Sequence, residues 1–231
     1  MPVDLVDVLA GSLHGRGRPA TPPVAIVTME LQRGVMGDLA SFPALEESAR
    51  HVGLPANAGR LARQARDLEL PVVHCTAEFR ADRAGTTITT PLHSAVLRRP
   101  EHLLEGTAAT ELIAELGPEP SDLVIPRRHG VSPFSGTALD ATLRNMGVSV
   151  LVVTGVSVNL GVLGLAIEAV NLGYQVVIAT DAVCGHPAAY AQTVLDQTLS
   201  LIATLAPTDE ILAAMTTATG PRAGSVERNA L

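Results

Sequence analysis

Three places along this chain put side chains capable of chemistry where an apolar run gives way to polar residues. Val24-Ala-Ile-Val-Thr-Met29 runs into Glu30, Leu31, Gln32 and Arg33, so a carboxylate emerges from an apolar segment with a guanidinium close behind it. Such a group serves as a general acid or base, or else simply pairs with Arg33. Leu123 to Pro126 runs into Arg127, Arg128 and His129, where two adjacent guanidinium groups are either surface charge or a clamp for an anion. Val148 to Thr154 runs into Gly155-Val-Ser-Val-Asn-Leu-Gly161, a small-residue turn entering a helix. The free N–H groups of such a turn make an anion or oxyanion site.

Other chemistries fail on residue type or spacing. All sixteen basic residues are Arg, so no Lys is present to form a Schiff base or to move a proton. The glycines lack the spacing of a dinucleotide fingerprint or a P-loop, and no Gly-x-Ser-x-Gly elbow occurs. The histidines at 14, 51, 74, 93, 102, 129 and 186 contain no i, i+4 pair and no accompanying cysteine cluster. No metal and no cofactor is expected on this basis.

The elements that must position these residues alternate. Apolar runs at Val24–Met29, Pro71–Cys75, Leu123–Pro126, Val148–Thr154, Gln175–Thr180 and Leu201–Leu205 are spaced by amphipathic stretches at 56–68, 108–116, 136–146, 160–172 and 187–199. Strands alternating with helices predict an α/β fold, a parallel sheet of about six strands with helices on both faces. Ligands of such sheets bind at the carboxyl ends of the strands, where the strand order reverses. The segment 80–104 has no clear period, and long loops in compact domains are usually functional or disordered. Gly and Pro residues mark 1–22 as a loose arm, 23–214 form the domain, and 215–231 are expected to fray as a tail.

Composition narrows the partners. With 47% apolar residues, a net charge of −7, 2% aromatics and no Trp, the chain is a poor fit to nucleic acid, and a small molecule is the expected ligand. Two cysteines, Cys75 and Cys184, do not make a disulfide framework, and no export signal is evident, so a cytoplasmic setting is expected. The 23 uncharged residues between Arg144 and Glu168 are long enough to span a bilayer. Their β-branched run, Gly155 and following helical period instead mark a buried strand, turn and helix, so no membrane partner is expected.

Val24-Ala-Ile-Val-Thr-Met-Glu-Leu-Gln32, Gly106-Thr107, Asp122-Leu-Val-Ile125, Ser132-Pro-Phe-Ser-Gly-Thr-Ala-Leu139, Leu151-Val-Val-Thr-Gly-Val-Ser-Val-Asn159, Gly173-Tyr174 and Asp181-Ala182 resemble, in order, the isochorismatase-like hydrolase superfamily. The resemblance covers about residues 24 to 212. It implies a Rossmann-like, three-layer α/β/α fold, a homodimer or homotetramer, and a cis peptide at Val156-Ser157. Most members are cysteine hydrolases of small amides with an Asp, Lys and Cys triad. This chain departs at all three positions, with Glu30, Arg128 and Gly161.

The true isochorismatases resemble this chain at the Gly and use the acid to protonate a vinyl ether, which requires no nucleophile. Apolar neighbours would favour the protonated Glu30, and a nearby Arg would oppose them. The resemblance therefore implies a hydrolase of a small anionic metabolite working without a thiol, with Glu30 as general acid or base and Arg128 as anion clamp. Gln32, Glu78, Phe134, Ser157 and Asn159 are its candidate substrate-binding residues. Amide hydrolysis through a carboxylate-activated water is a third possibility. The competing reading is a protein that kept the pocket and lost the catalysis, serving as a small-molecule binder or an assembly subunit.

Overall fold

The computed structural model describes residues 4–11, 23–99 and 101–219. Six parallel strands form one sheet: β1 (Val24–Met29), β2 (Val72–Ala77), β3 (Leu123–Arg127), β4 (Val150–Val156), β5 (Gln175–Cys184) and β6 (Thr204–Ala206). Their order is β3-β2-β1-β4-β5-β6, which places the reversal between β1 and β4. The α/β/α architecture expected from the sequence is present.

Alternation along the strands sorts the core. Ala25, Val27 and Met29 of β1, with Leu151 and Val153 of β4, face α6 (Leu139–Asn145), α7 (Leu163–Asn171) and α8 (Ala188–Gln197). Val24, Ile26, Val150 and Val152 face the opposite layer, α1 (Leu5–Leu9), α4 (Leu54–Asp67) and α9 (Thr208–Thr219). A third cluster, around Leu31, Leu54, Phe79 and Leu103, closes the carboxyl end of the sheet. It is completed by α2 (Arg33–Met36), α3 (Pro43–His51) and the segment carrying α5 (Pro91–Val96).

β1 and β4 approach closely. A Cβ on Gly155 would lie 2.2 Å from the Met29 carbonyl oxygen, and its φ of +123° suits glycine alone, so no other residue fits there. No helix among the described residues is long and apolar enough to cross a membrane.

Three expectations are corrected. The stretch 108–116 is not an α-helix but two short 3₁₀ turns, Ala108–Thr110 and Ala114–Leu116. Between them the chain is extended, because the Arg33 N–H donates to the Glu111 carbonyl at 2.9 Å and the Ile113 N–H to that of Leu31 at 3.0 Å. Tertiary pairing there overrides helical propensity. The loose arm holds α1, capped by the Asp4 carboxylate, with Val8 and Leu9 buried beside Ile211 and Met215 of α9. Residues 12–22 lie outside the described residues. At the other end α9 runs to Thr219, past the expected domain limit, because Met215 and Ala218 belong to the core. Residues 220–231 are outside the described part.

Asp181 fixes the start of α9. Its Oδ1 accepts from the Thr208 N–H at 2.8 Å and the Thr208 hydroxyl at 2.7 Å.

Candidate active site

A cavity of about 460 Å³ opens at the carboxyl ends of the strands. Glu30 enters it directly after β1, Arg127 from the last position of β3, and Ser157, Asn159, Leu160 and Gly161 from the turn after β4. His186 follows β5, while His93 and His102 come from the segment 80–104. The site therefore sits at the reversal of strand order, where the crevice of an open parallel sheet is formed.

Glu30 has φ +53°, the left-handed region, which costs an ordinary residue about 1–2 kcal/mol. Its N–H still donates to the Cys75 carbonyl at 2.9 Å, so the strand is held to its last residue while the side chain turns into the cavity. The carboxylate accepts from Arg127 Nη2. Arg127 Nη1 donates to the Gly130 carbonyl at 2.5 Å, and the buried Nε–H has no partner among the described residues. Burial pulls the Arg127 guanidinium down to about 10, still far above neutral pH, so it stays charged.

The Gly130 carbonyl also faces His93 Nε2 at 3.3 Å. A carbonyl only accepts, so that nitrogen carries the proton. His93 Nδ1 is buried without a partner. His102 Nδ1 lies 3.0 Å from the Ser41 hydroxyl, and burial, with Arg83 and Arg99 nearby, holds its imidazole down at about 4, hence neutral at pH 7.

Gly161 leaves room that a neighbour has taken. A Cβ there would lie 2.9 Å from Met29 Cε and 3.1 Å from the Val156 carbonyl oxygen. The fully buried Met29 side chain thus packs where a side chain at 161 would begin. The Leu160 and Val162 N–H groups both donate to the Ser157 carbonyl at 3.0 Å, and the Ser157 hydroxyl donates to the Asn159 side-chain oxygen. Val156-Ser157 is cis, as the resemblance implies. Neither cysteine lines the cavity, and burial pushes both thiols up to about 12, so neither is a thiolate at neutral pH.

Of the residues singled out from the sequence, Glu30, Gly161, Ser157 and Asn159 come together in the cavity. Arg128 does not. Its side chain is 47% exposed and pairs with Glu105 at 3.1 Å, because Ile125 and Arg127 share the buried face of β3 while Pro126 and Arg128 lie off it. Strand alternation was the available signal.

Gln32 is buried away from the cavity. Its amide donates to the Ala77 and Thr110 carbonyls, both at 3.1 Å, and accepts from the Ala77 N–H at 2.8 Å, so every strong partner is internal. Glu78 accepts from the Thr76 hydroxyl at 2.8 Å, and Phe134 packs in the core with its ring 5.8 Å from Tyr174; neither lines the cavity. Arg33 pairs with Asp38 at 2.8 Å and Glu111 at 2.7 Å rather than with Glu30. His93, on the short α5, and His102 and His186, on loops, have no spacing in the sequence that marks them as cavity residues. Among the described residues, no group of His, Cys, Asp or Glu is placed to hold a metal ion.

The isochorismatase domain family matches residues 24–210, nearly the whole described chain. The chain belongs to the isochorismatase family. It is 30% identical over 195 residues to the uncharacterized isochorismatase family protein YecD of Escherichia coli O157:H7, covering 83% of this chain and 95% of that one. An isochorismatase family protein from Burkholderia thailandensis superposes with a TM-score of 0.69 at 27% identity, over 84% of this chain and 96% of that chain. The N-carbamoylsarcosine amidase of Thermoplasma acidophilum superposes at 0.62 with 25% identity, over 80% and 96%. With this family membership the chain is placed among the isochorismatase-like hydrolases.

Proposed function

We propose that this chain hydrolyses an uncharged carbonyl compound, a carboxamide in the first instance, by direct attack of water, with Glu30 as general base. The observation that carries this reading is the Glu30–Arg127 pair lining the cavity beside Gly161. The Glu30 carboxyl oxygen already accepts a hydrogen bond from Arg127, the arrangement of a proton acceptor rather than of an acid aimed at a vinyl ether. The same pair neutralises Arg127, which removes the excess cation that an anionic substrate would need. Amide chemistry is also what the name of the structurally similar N-carbamoylsarcosine amidase denotes.

In this reaction the water oxygen bonds to the carbonyl carbon while its proton passes to Glu30. The tetrahedral intermediate then collapses, the C–N bond breaks, and Glu30 returns the proton to the leaving nitrogen, giving acid and amine. Donors in the turn around Gly161 are the candidates to hold the developing oxyanion.

Loss of catalysis with retention of the pocket is the second reading, favoured by Met29 packing where a nucleophile's side chain would start. A panel of amides, esters and vinyl ethers, followed by proton NMR with the wild-type chain and a Cys75→Ala/Cys184→Ala double variant, separates the possibilities. Amide turnover retained in the double variant supports the proposal. Turnover lost with the cysteines, or confined to vinyl ethers, contradicts the mechanism, and silence on every compound supports the binder.

A further inference from the structure

The cavity also constrains the acyl side of the substrate. Its charged side chains, Glu30 and Arg127, and the Ser157–Gly161 turn stand at the strand ends, Ser41, His93, His102 and His186 add neutral polar atoms or imidazoles, and much of the remaining wall is apolar. Phe42 leads into α3, Phe79 follows β2, Leu92 and Val96 lie on α5, and Leu103 closes the segment behind them. Phe42 and Leu92 are 41% and 38% exposed, large apolar side chains left in contact with water at the cavity wall. Covering such surface is favourable, and a ligand that brings apolar area gains by it.

Charge points the same way. Glu30 and Arg127 neutralise one another, Arg99 opens into a neighbouring hollow with its guanidinium 5.9 Å from the Phe42 ring, and no second guanidinium lines the cavity among the described residues. A charged acyl tail would lose its hydration against Leu92 and Val96, where no guanidinium lines the cavity among the described residues. A one- or two-carbon acyl group would leave that wall wet.

We propose that the cavity selects carboxamides with an extended, uncharged, apolar acyl group, seated against Phe42, Phe79, Leu92, Val96 and Leu103, with the scissile carbonyl presented to Glu30. This rests on the hydrolase reading for its last clause alone, since the selection itself is a matter of binding.

The test is a homologous series, butyramide, hexanamide and octanamide, together with the charged succinamate, titrated calorimetrically into the whole chain while ammonia release is followed separately. Each added methylene that becomes buried should tighten Kd about fourfold. Succinamate should bind more weakly than butyramide. Leu92→Asp, at a half-exposed position on a short surface helix, should abolish the chain-length gain, weakening octanamide far more than butyramide, with the melting temperature unchanged. Phe42→Ser provides the same test from the opposite wall. Binding that is independent of chain length in the wild-type chain, stronger binding of succinamate, or an undiminished gain in both variants overturns the proposal. Chain-length-dependent binding without ammonia release upholds the selection and overturns the hydrolase reading. Turnover of butyramide with no gain along the series does the reverse.

Discussion

Two polar clusters join β1 to opposite ends of β3, and they differ in whether their hydrogen-bonding capacity is used up. The first is buried inside the layer that holds α4. There Thr28 Oγ1 meets His74 Nδ1 at 2.8 Å, His74 Nε2 meets Asp122 at 3.2 Å, and Arg66 binds both Asp122 oxygens, at 3.0 and 2.7 Å. Arg66 also donates to the Leu116 carbonyl, and Asp122 accepts from the Glu119 N–H at 2.9 Å. The second cluster is Glu30 and Arg127 at the strand ends with His93 of α5. It opens on the cavity and keeps an unpartnered Arg127 Nε–H and His93 Nδ1.

The buried cluster contains the hydroxyl, imidazole and carboxylate that a catalytic triad would use, yet it is closed to substrate and saturated. Burial lowers the proton affinity of His74 despite its Asp122 contact. For Asp122, desolvation is the largest single influence and acts upward, but the combined donors from Arg66, Glu119 and His74 hold it below its ordinary value. Residue types alone do not distinguish a structural knot from a reactive site. Accessibility and spare valence do.

That contrast can be broken at either end. Removing Asp122, whose side chain is 3% exposed, strands a buried guanidinium, and Asp122→Ala should cost about 3–5 kcal/mol and lower the melting temperature by about 10 °C in a calorimetric scan. Turnover per folded molecule should be unchanged. Arg127→Met reverses the pattern: kcat/KM should fall about a hundredfold, close to 3 kcal/mol of transition-state stabilisation, as Glu30 loses the donor that orients it in the cavity.

A smaller effect belongs to His102. Its imidazole is held from the ordinary 6.5 down to about 4, so between those values the unfolded chain binds a proton that the folded chain refuses. Stability should fall as pH drops through that window, by about 2 kcal/mol, and should level off below it. Urea titrations at stepped pH should show this slope in the wild-type chain and a shallower one in His102→Gln. Arg128→Ala should do least, under about 0.5 kcal/mol in stability and no change in kcat/KM, since its exposed pair with Glu105 lies outside the cavity.

The sheet was legible because its strands are short β-branched runs ended by Gly, Pro or charge, and Val148 to Gly155 identified the strand beside the reversal. Glu30 could be placed because it stands at the end of such a run, and Gly161 because the resemblance aligns it with the family's cysteine after the turn. Arg128 was the expected clamp, with the choice between it and Arg127 left open, and alternation from Ile125 turns Arg127 toward the cavity. Gln32 shows a different limit: a polar residue next to a catalytic candidate is engaged by Ala77 and Thr110, 45 and 78 residues away, and no local pattern reports such partners. The cavity wall was hidden for the same reason. Phe79, Leu92, Val96 and Leu103 lie on a stretch without periodicity, shaped by packing against Leu31 and α3 rather than by its own propensities.

The central claim is that the carboxylate open to the cavity performs the chemistry. Its most direct test is kcat/KM of Glu30→Gln against the wild-type chain on the most rapidly hydrolysed carboxamide, with melting temperatures measured on the same samples. A loss of about 10²- to 10⁴-fold with an unaltered melt is the predicted result. Retained turnover in Glu30→Gln would contradict the account.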